Sequence, residues 1–280
     1  MVLATARRFF RVSPLGACGG LFLIVMVVVA LLAGQFAPYG PLTTDYMAMQ
    51  YPPSSAHLLG TDHLGRDILS RIIFGSRITL LVSLTSVGVG IVIGGIWGLA
   101  SGYTGNRFDM ISQRVVEVLM SFPTLILAML LTVSLGAGLG TVIIAIGIAQ
   151  VPMITRITRS VVLSTKELSY VEAARCAGAG PWRVMMRHIA PQCLAPIMVI
   201  ATVNLGAAIF AEASLSFLGV GVPPPKPSWG NMLGGVLAQS FNPPWWMVIF
   251  PGVAIAATVM AANLVGDGLR DFLDPRVRRR

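Results

Sequence analysis

Side chains that could carry acid–base, nucleophilic or metal chemistry are sparse in this 280-residue chain. The three histidines, His57, His63 and His188, do not form the His-Glu-x-x-His pattern with which a helix holds a hydrolytic zinc. Neither lysine ends a glycine-rich phosphate-cradling turn, because Lys166 follows Thr165 and Lys226 follows Pro225. The chain therefore has no recognisable means of hydrolysing ATP itself. Gly266-Asp267 approaches the Gly-x-Gly-Asp pattern of an intramembrane aspartyl protease, but Leu264 breaks it, and no Gly-x-Ser-x-Gly elbow occurs. Cys18, Cys176 and Cys193 are odd in number and lack metal-site spacing, so they read as structural thiols without a disulfide. The expectation is a protein that is not an enzyme and holds no metal or cofactor of its own.

Charge inside apolar sequence is costly and marks function more often than charge on a surface. Only Arg114, Glu117 and Glu212 lie within or near apolar runs. Arg114 and Glu117 are three apart and can pair on one helix face. Glu212 either faces a substrate path or hydrogen-bonds within a helix bundle. Together with Asn204, it is the candidate for lining such a path.

The elements that must position these residues are membrane helices. The chain is 55% hydrophobic and 11% charged, with a mean hydropathy of +0.79, whereas a soluble domain carries roughly 25% charge. Spanning the hydrocarbon takes about 20 apolar residues. Residues 15–36 form the first such run, after Arg7, Arg8 and Arg11. This flank resembles a twin-arginine signal, but the run reads as an uncleaved anchor. A polar loop over 38–75 ends in helically spaced Leu64, Ile68, Leu69, Ile72 and Ile73, which predicts a short amphipathic helix at the outer interface. The charge-free run 78–102 is the second span. It contains Gly90, Gly94, Gly98 and Gly102, a four-residue repeat that lines one helix face and lets another backbone approach. Residues 118–155 are too long for one span and divide at 136–140 into two with a tight outer hairpin. Runs over 189–211 and 246–266 supply the fifth and sixth, with Trp245 and Trp246 at headgroup level.

The expected fold class is thus all-α, a polytopic bundle of about six transmembrane helices. The expected division is an N-terminal anchor and outer loop over 1–75 and a core over 76–280. Six spans put both termini on one side. With that side cytoplasmic, sixteen basic residues lie inside and only Arg66, Arg71, Arg77 and Lys226 lie outside, as the positive-inside rule requires. The net charge of +9 is topological in origin and predicts no nucleic acid partner.

The longest strongly charged stretch, 156–188, contains Tyr170-Val171-Glu172-Ala173-Ala174-Arg175-Cys176-Ala177-Gly178-Ala179, then Trp182-Arg183 and Arg187-His188-Ile189-Ala190-Pro191. It predicts two short helices joined at 177–180, with glycine permitting the bend and Pro181 opening the second. This segment resembles the "EAA" loop of bacterial ABC import permeases. Four further blocks resemble the dipeptide, oligopeptide and nickel permease family, in its shorter C-type subunit. They are Leu59-Gly60-Thr61-Asp62-His63-Leu64-Gly65-Arg66-Asp67-Ile68-Leu69-Ser70-Arg71, Ala213-Ser214-Leu215-Ser216-Phe217-Leu218-Gly219, Gly266-Asp267-Gly268-Leu269-Arg270-Asp271 and Asp274-Pro275-Arg276.

The resemblance implies a type I importer bundle in the bacterial inner membrane, with a coupling loop over 161–188. In it Glu172, Ala173, Ala174 and Gly178, flanked by Arg183 and Arg187, dock onto an ATPase. It implies as partners a homologous B-type permease, one or two ABC ATPase subunits that use ATP and Mg, membrane lipids, and a periplasmic or lipid-anchored binding protein. The implied cargo is di- or oligopeptide, with nickel chelates or glutathione as alternatives in the same kind of complex. An ion-coupled secondary transporter is the competing class, and would need a self-contained midplane site.

Overall fold

The computed structural model describes residues 9–10, 12–239 and 241–273. Arg7, Arg8, Arg11 and the closing block Asp274-Pro275-Arg276, with Arg278, Arg279 and Arg280, lie outside the described residues. In chain order the helices are α1 (Pro14–Leu31), α2 (Ala33–Phe36), α3 (Ile68–Thr104), α4 (Asn106–Met120), α5 (Thr124–Leu135), α6 (Leu139–Thr165), α7 (Ser169–Cys176), α8 (Pro181–Val184), α9 (Ala190–Phe217), α10 (Trp229–Gln239) and α11 (Trp245–Leu273). The described residues form no strand, only an isolated bridge between Thr61 and Asp67. Five helices are long and apolar enough to cross a membrane, and the bent pair α4–α5 brings the number to six if counted as one.

The bundle is built around α3 and α6, which run parallel in matched register. A Cβ on Gly90 would lie 3.2 Å from the Gly147 carbonyl, on Gly94 2.9 Å from Ile154 and the Val151 carbonyl, on Gly98 2.5 Å from the Thr155 carbonyl, and on Gly102 2.9 Å from Val162. Each step of four on α3 thus meets a corresponding step on α6. Ser86 extends the seam by donating to the Ile143 carbonyl at 3.0 Å. A second seam, not signalled by any long repeat, seats Gly16 and Gly19 of α1 against the α11 backbone at Ala261, Leu264 and Gly268.

Three sequence expectations need correction. Residues 118–155 do not supply two full spans. Residues 118–120 belong to α4, and α5 has only 12 residues, about 18 Å against a hydrocarbon thickness of about 30 Å. Pro123 is the cause: it disfavours helix at Phe122, and the chain turns by 90° between α4 and α5. No separate amphipathic helix precedes the second span either. Asp67 caps α3 directly, accepting from the Ser70 backbone at 2.8 Å, and α3 then runs unbroken through position 75, where the anchor-and-core division was drawn. Last, the second short helix after the 177–180 turn is not separate. Pro191 offers no N–H to the Arg187 carbonyl, and residues Met185–Ile189 widen into a π turn that joins α8 to α9.

The loop before α3 is tightly bonded. Asp67 accepts from the Ser70 hydroxyl at 2.7 Å and meets His57 Nδ1 at 3.0 Å. Asp62 accepts from Arg66 Nε at 2.7 Å. Gly65, at φ +73°, passes so close to the Asp45 carbonyl that no side chain fits there. Arg77 donates to the Ala30 carbonyl and, at 2.8 Å, to that of Leu31, capping the end of α1.

The glycine seam gives a matched test. Gly98→Ala should lower the melting temperature of the detergent-purified protein by an amount equivalent to about 1–3 kcal/mol, the usual cost of overpacking. Gly88→Ala, whose Cβ meets nothing within 4 Å, should be neutral or slightly stabilising. Equal behaviour of the two would remove the seam from its place in the bundle.

Candidate functional site

Two features concentrate polar groups beyond what the bundle needs. The first is the surface at the end of the bundle opposite the loop. There α6 ends and α7 follows after a short turn. Val171 of α7 is buried with Val162, Val184, Ile189 and Cys193, which seats the segment on α6, α8 and α9. The opposite face of α7 is bare: Glu172, Ala173, Arg175 and Cys176 are exposed, as are Arg183, Arg187 and Trp182, the last at 70%. Helix α7 thus combines a fixed base with small side chains and one acid on its open face. A large indole and three guanidiniums surround it. That is the make-up of a docking surface, since it offers close backbone approach, an apolar anchor and charges that set register.

Gly178 supplies the glycine bend that the sequence predicts at 177–180. It has φ +82°. Its N–H bonds the Arg175 carbonyl at 2.9 Å, and the Ala179 N–H bonds the Ala174 carbonyl at 3.1 Å. This is a Schellman C-cap, in which the left-handed residue satisfies carbonyls at a helix end. A Cβ there would meet no atom within 4 Å, so the constraint is backbone conformation and not space. The nearby end of the bundle is tied by Asp109 of α4, which accepts from Arg159 Nε of α6 at 2.6 Å and from Ser101 of α3 at 2.5 Å. Arg114 and Glu117 pair at 2.9 Å on the exposed face of α4.

The second feature is a cavity of about 420 Å³ under the α4–α5 bend. Leu119, Phe122 and Leu125 form one wall, Gln150 and Pro152 of α6 another, and Asn204 and Phe210 of α9 a third. Gln150 and Asn204 are 6% and 9% exposed, and Gln150 Oε1 and Asn204 Nδ2 have no hydrogen-bond partner. Leaving a buried polar atom unpaired costs about 1–3 kcal/mol, and both atoms are closed to a water-sized sphere, so neither opens into the cavity. A Cβ on Gly90 would lie 3.3 Å from Gln150 Cβ, which puts the cavity near the middle of α3.

Glu212, grouped with Asn204 by the sequence, is not part of this cavity. It is fully buried, accepting from Thr79 Oγ1 of α3 at 3.0 Å and from Ser216 Oγ at 2.9 Å. Thr79 stands eleven residues before Gly90, about 16 Å along α3. Glu212 therefore joins α3 to α9 nearer the loop end, the second of the two roles left open for it. Gln150 was missed because one amide in a long apolar run does not interrupt its hydropathy. The available signal was its place two residues before Pro152 in a charge-free stretch. Among the described residues no group of three or more His, Cys, Asp or Glu could hold a metal.

Comparison with known proteins matches this architecture. The family model described as binding-protein-dependent transport system inner membrane component covers residues 90–279. A second, the N-terminal TM domain of oligopeptide transport permease C, covers residues 3–53. The chain is 42% identical over 270 residues to the di/tripeptide transport system permease protein DppC of Pseudomonas aeruginosa, covering 94% of this chain and 89% of that one. It is 42% identical over 278 residues to the dipeptide transport system permease protein DppC of Escherichia coli strain K12, covering 97% and 92%. To the glutathione transport system permease protein GsiD of Pectobacterium atrosepticum it is 41% identical, covering 97% and 90%. Among solved structures the inward-facing MetNI methionine ABC transporter shares the fold, with a TM-score of 0.61 at 20% identity, over 74% of this chain and 98% of that one.

The cap at Gly178 makes a specific prediction. Gly178→Asn should leave the α7 end intact, because asparagine tolerates the left-handed region. Gly178→Val should cost about 1–2 kcal/mol there and raise tryptic cleavage after Arg175 about tenfold. Equal cleavage of the two variants would show that the positive φ is not what the position requires.

Proposed function

The chain belongs to the family of binding-protein-dependent transport system inner membrane components, and on that premise we propose that it is the C-type permease of an ABC importer that carries peptides inward. Peptide cargo is supported by the names of its relatives at about two-fifths identity along nearly their whole length. Glutathione, the cargo named for another relative, is itself a small peptide and falls within the same reading. The observation that carries the role is the exposed face of α7 on its buried base. A transport subunit without nucleotide-binding residues must receive its work from outside, and this is a surface built to receive it.

In this reading a P-loop ATPase seats on Glu172, Ala173 and Ala174, with Trp182, Arg183 and Arg187 at the rim of the contact. Gly178 holds the end of α7 in shape, and the ATPases use ATP and Mg. A homologous B-type permease completes the translocation path, and a binding protein delivers cargo from the side of the loop over 38–67. The basic end of the bundle lies in the cytoplasm of a bacterial inner membrane, since sixteen of the twenty basic residues then fall on that side. ATP-driven closure of the ATPases moves the α7 surfaces together and shifts the bundle between two states by differential binding.

Affinity purification of the tagged chain from mildly solubilised membranes tests this reading. Wild type should bring down a second permease and P-loop ATPases. Glu172→Lys should keep the permease and lose at least about nine-tenths of the ATPase, equivalent to about 1.4 kcal/mol or more. Recovery of the wild-type chain with neither partner, together with solute uptake in ATP-free vesicles, would favour the ion-coupled transporter instead.

A further inference from the structure

Helix α4 packs one face on the bundle, through Ser112 and Val116, and leaves much of the rest uncovered. Two contacts with α6 fix its height. Asp109 accepts from Arg159 Nε at 2.6 Å. Ten residues later Leu119 shares the cavity wall with Gln150, which stands nine residues before Arg159. The two helices are therefore antiparallel, and α4 rises from the basic end of the bundle into its interior instead of lying along the membrane surface. Glu117 stands about 12 Å deeper than the Asp109–Arg159 pair. On the open side Phe108, Ile111, Val115 and Val118 are all exposed. Their spacing of three, four and three residues is that of a heptad seam, which suits a second helix at a small crossing angle. Beside the seam Arg114 and Glu117 pair at 2.9 Å, with side chains 78% and 50% exposed. At about 3.6 residues per turn Arg107, Arg114 and Val118 point away from Ser112 and Val116. Lipid does not suit this side. A long arginine can reach back to the headgroups, but a short carboxylate at that depth cannot, and charge in hydrocarbon is costly.

We propose that α4 is the contact with the second permease in the inner half of the membrane. Phe108, Ile111, Val115 and Val118 form a seam against the equivalent helix of that subunit, and Arg114 and Glu117 face an aqueous passage beside it. This rests on the importer reading above and deepens it, by naming where the two permeases meet. The homologous subunit is the occupant that the surface fits. Related subunits about an approximate two-fold axis meet through equivalent patches, so each brings an apolar stripe and covers the other's. Water on the flank keeps the charged pair hydrated, which lipid over the same side would not. The seam itself has no polar side chain, so the two subunits can part along it without breaking a hydrogen bond or an ion pair. That is what a passage that opens and closes between two rigid bodies requires.

The test uses the full importer, with its second permease, ATPases and binding protein, in native membranes. A photoreactive phenylalanine analogue replaces one residue of α4 at a time, and the membranes are irradiated. In place of Phe108, Ile111, Val115 or Val118 it should join the second permease, at peptides of its equivalent helix. In place of Met110 or Glu117, on the same helix but off the seam, it should not. Cross-links from the seam to lipid alone, cross-links to another copy of this chain, or a pattern without this periodicity overturn the inference and leave the importer reading standing. A second measurement reads the flank. With Cys18, Cys176 and Cys193 replaced by alanine, a hydrophilic maleimide added from the cytoplasmic side should label Glu117→Cys and spare Val115→Cys. Any other labelling pattern also overturns the inference. A wild-type chain that purifies from mild detergent with no second permease overturns the importer reading, and the inference with it.

Discussion

Everything in this bundle depends on how closely two parallel backbones can approach. In lipid there is little hydrophobic gain in bringing helices together, so association relies on surface fit and a few hydrogen bonds. Gly90, Gly94, Gly98 and Gly102 let α3 lie against α6 so closely that a methyl at Gly94 or Gly98 would collide with α6 backbone, one at Gly102 with the Val162 side chain, and one at Gly90 would be tightly crowded. The parallel arrangement requires a return path, and α4 with α5 supplies it. Because α6 is fixed against α3 along its length, both functional features inherit fixed positions. Gln150 sits beside Gly90 near mid-span, and the last turns of α6 present Val162 as part of the floor on which α7 rests.

The remaining clamps act at different levels and use different chemistry. Near the loop end Glu212 bridges α9 to Thr79 of α3. At the opposite end Asp109 gathers α3, α4 and α6 through Ser101 and a two-pronged contact from Arg159. Between them, among the described residues, the middle of the bundle has no carboxylate clamp, and there the cavity opens. A carboxylate held by hydroxyls or by a guanidinium fastens helices firmly, because its partners leave it few other ways to be satisfied. Gln150 Oε1 and Asn204 Nδ2, which find no partner within the chain, contribute no such tie.

Much of this could be read from the sequence, and the failures have physical reasons. The glycine repeat was legible because a period of four marks one helix face regardless of context. The open face of α7 was expected from the resemblance of its Glu172-Ala173-Ala174 run to a known loop and not from its spacing. The α4–α5 bend was not legible, because hydropathy counts apolar residues without regard to direction, and a short apolar helix scores like half a span. The bend at 177–180 was legible because glycine permits it, and Gly178 makes it as a left-handed helix terminator. The block 59–71 resembles a family signature without disclosing what it does. In three dimensions its Gly60, Gly65, Asp62, Asp67 and Ser70 build the capped start of α3. Glu212 and Asn204 looked alike from the sequence because both are polar residues in apolar surroundings. Only Glu212 has a partner on α3, the Thr79 hydroxyl, while Asn204 lies with Gln150 and Phe122 along the cavity.

The π turn at Met185–Ile189 has a mechanical consequence. Because α8 passes through it into α9 without a break, Pro181–Phe217 is a single beam of 37 residues, about 55 Å long. Trp182 stands at one tip, and Asn204 lies about 33 Å along it. A tilt of about 10° imposed at the tip would sweep the far end through about 10 Å and the cavity wall through more than half of that. When such a beam turns as one body, the displacement at Asn204 and that at Phe217 stay in a fixed ratio set by where along Pro181–Phe217 it pivots.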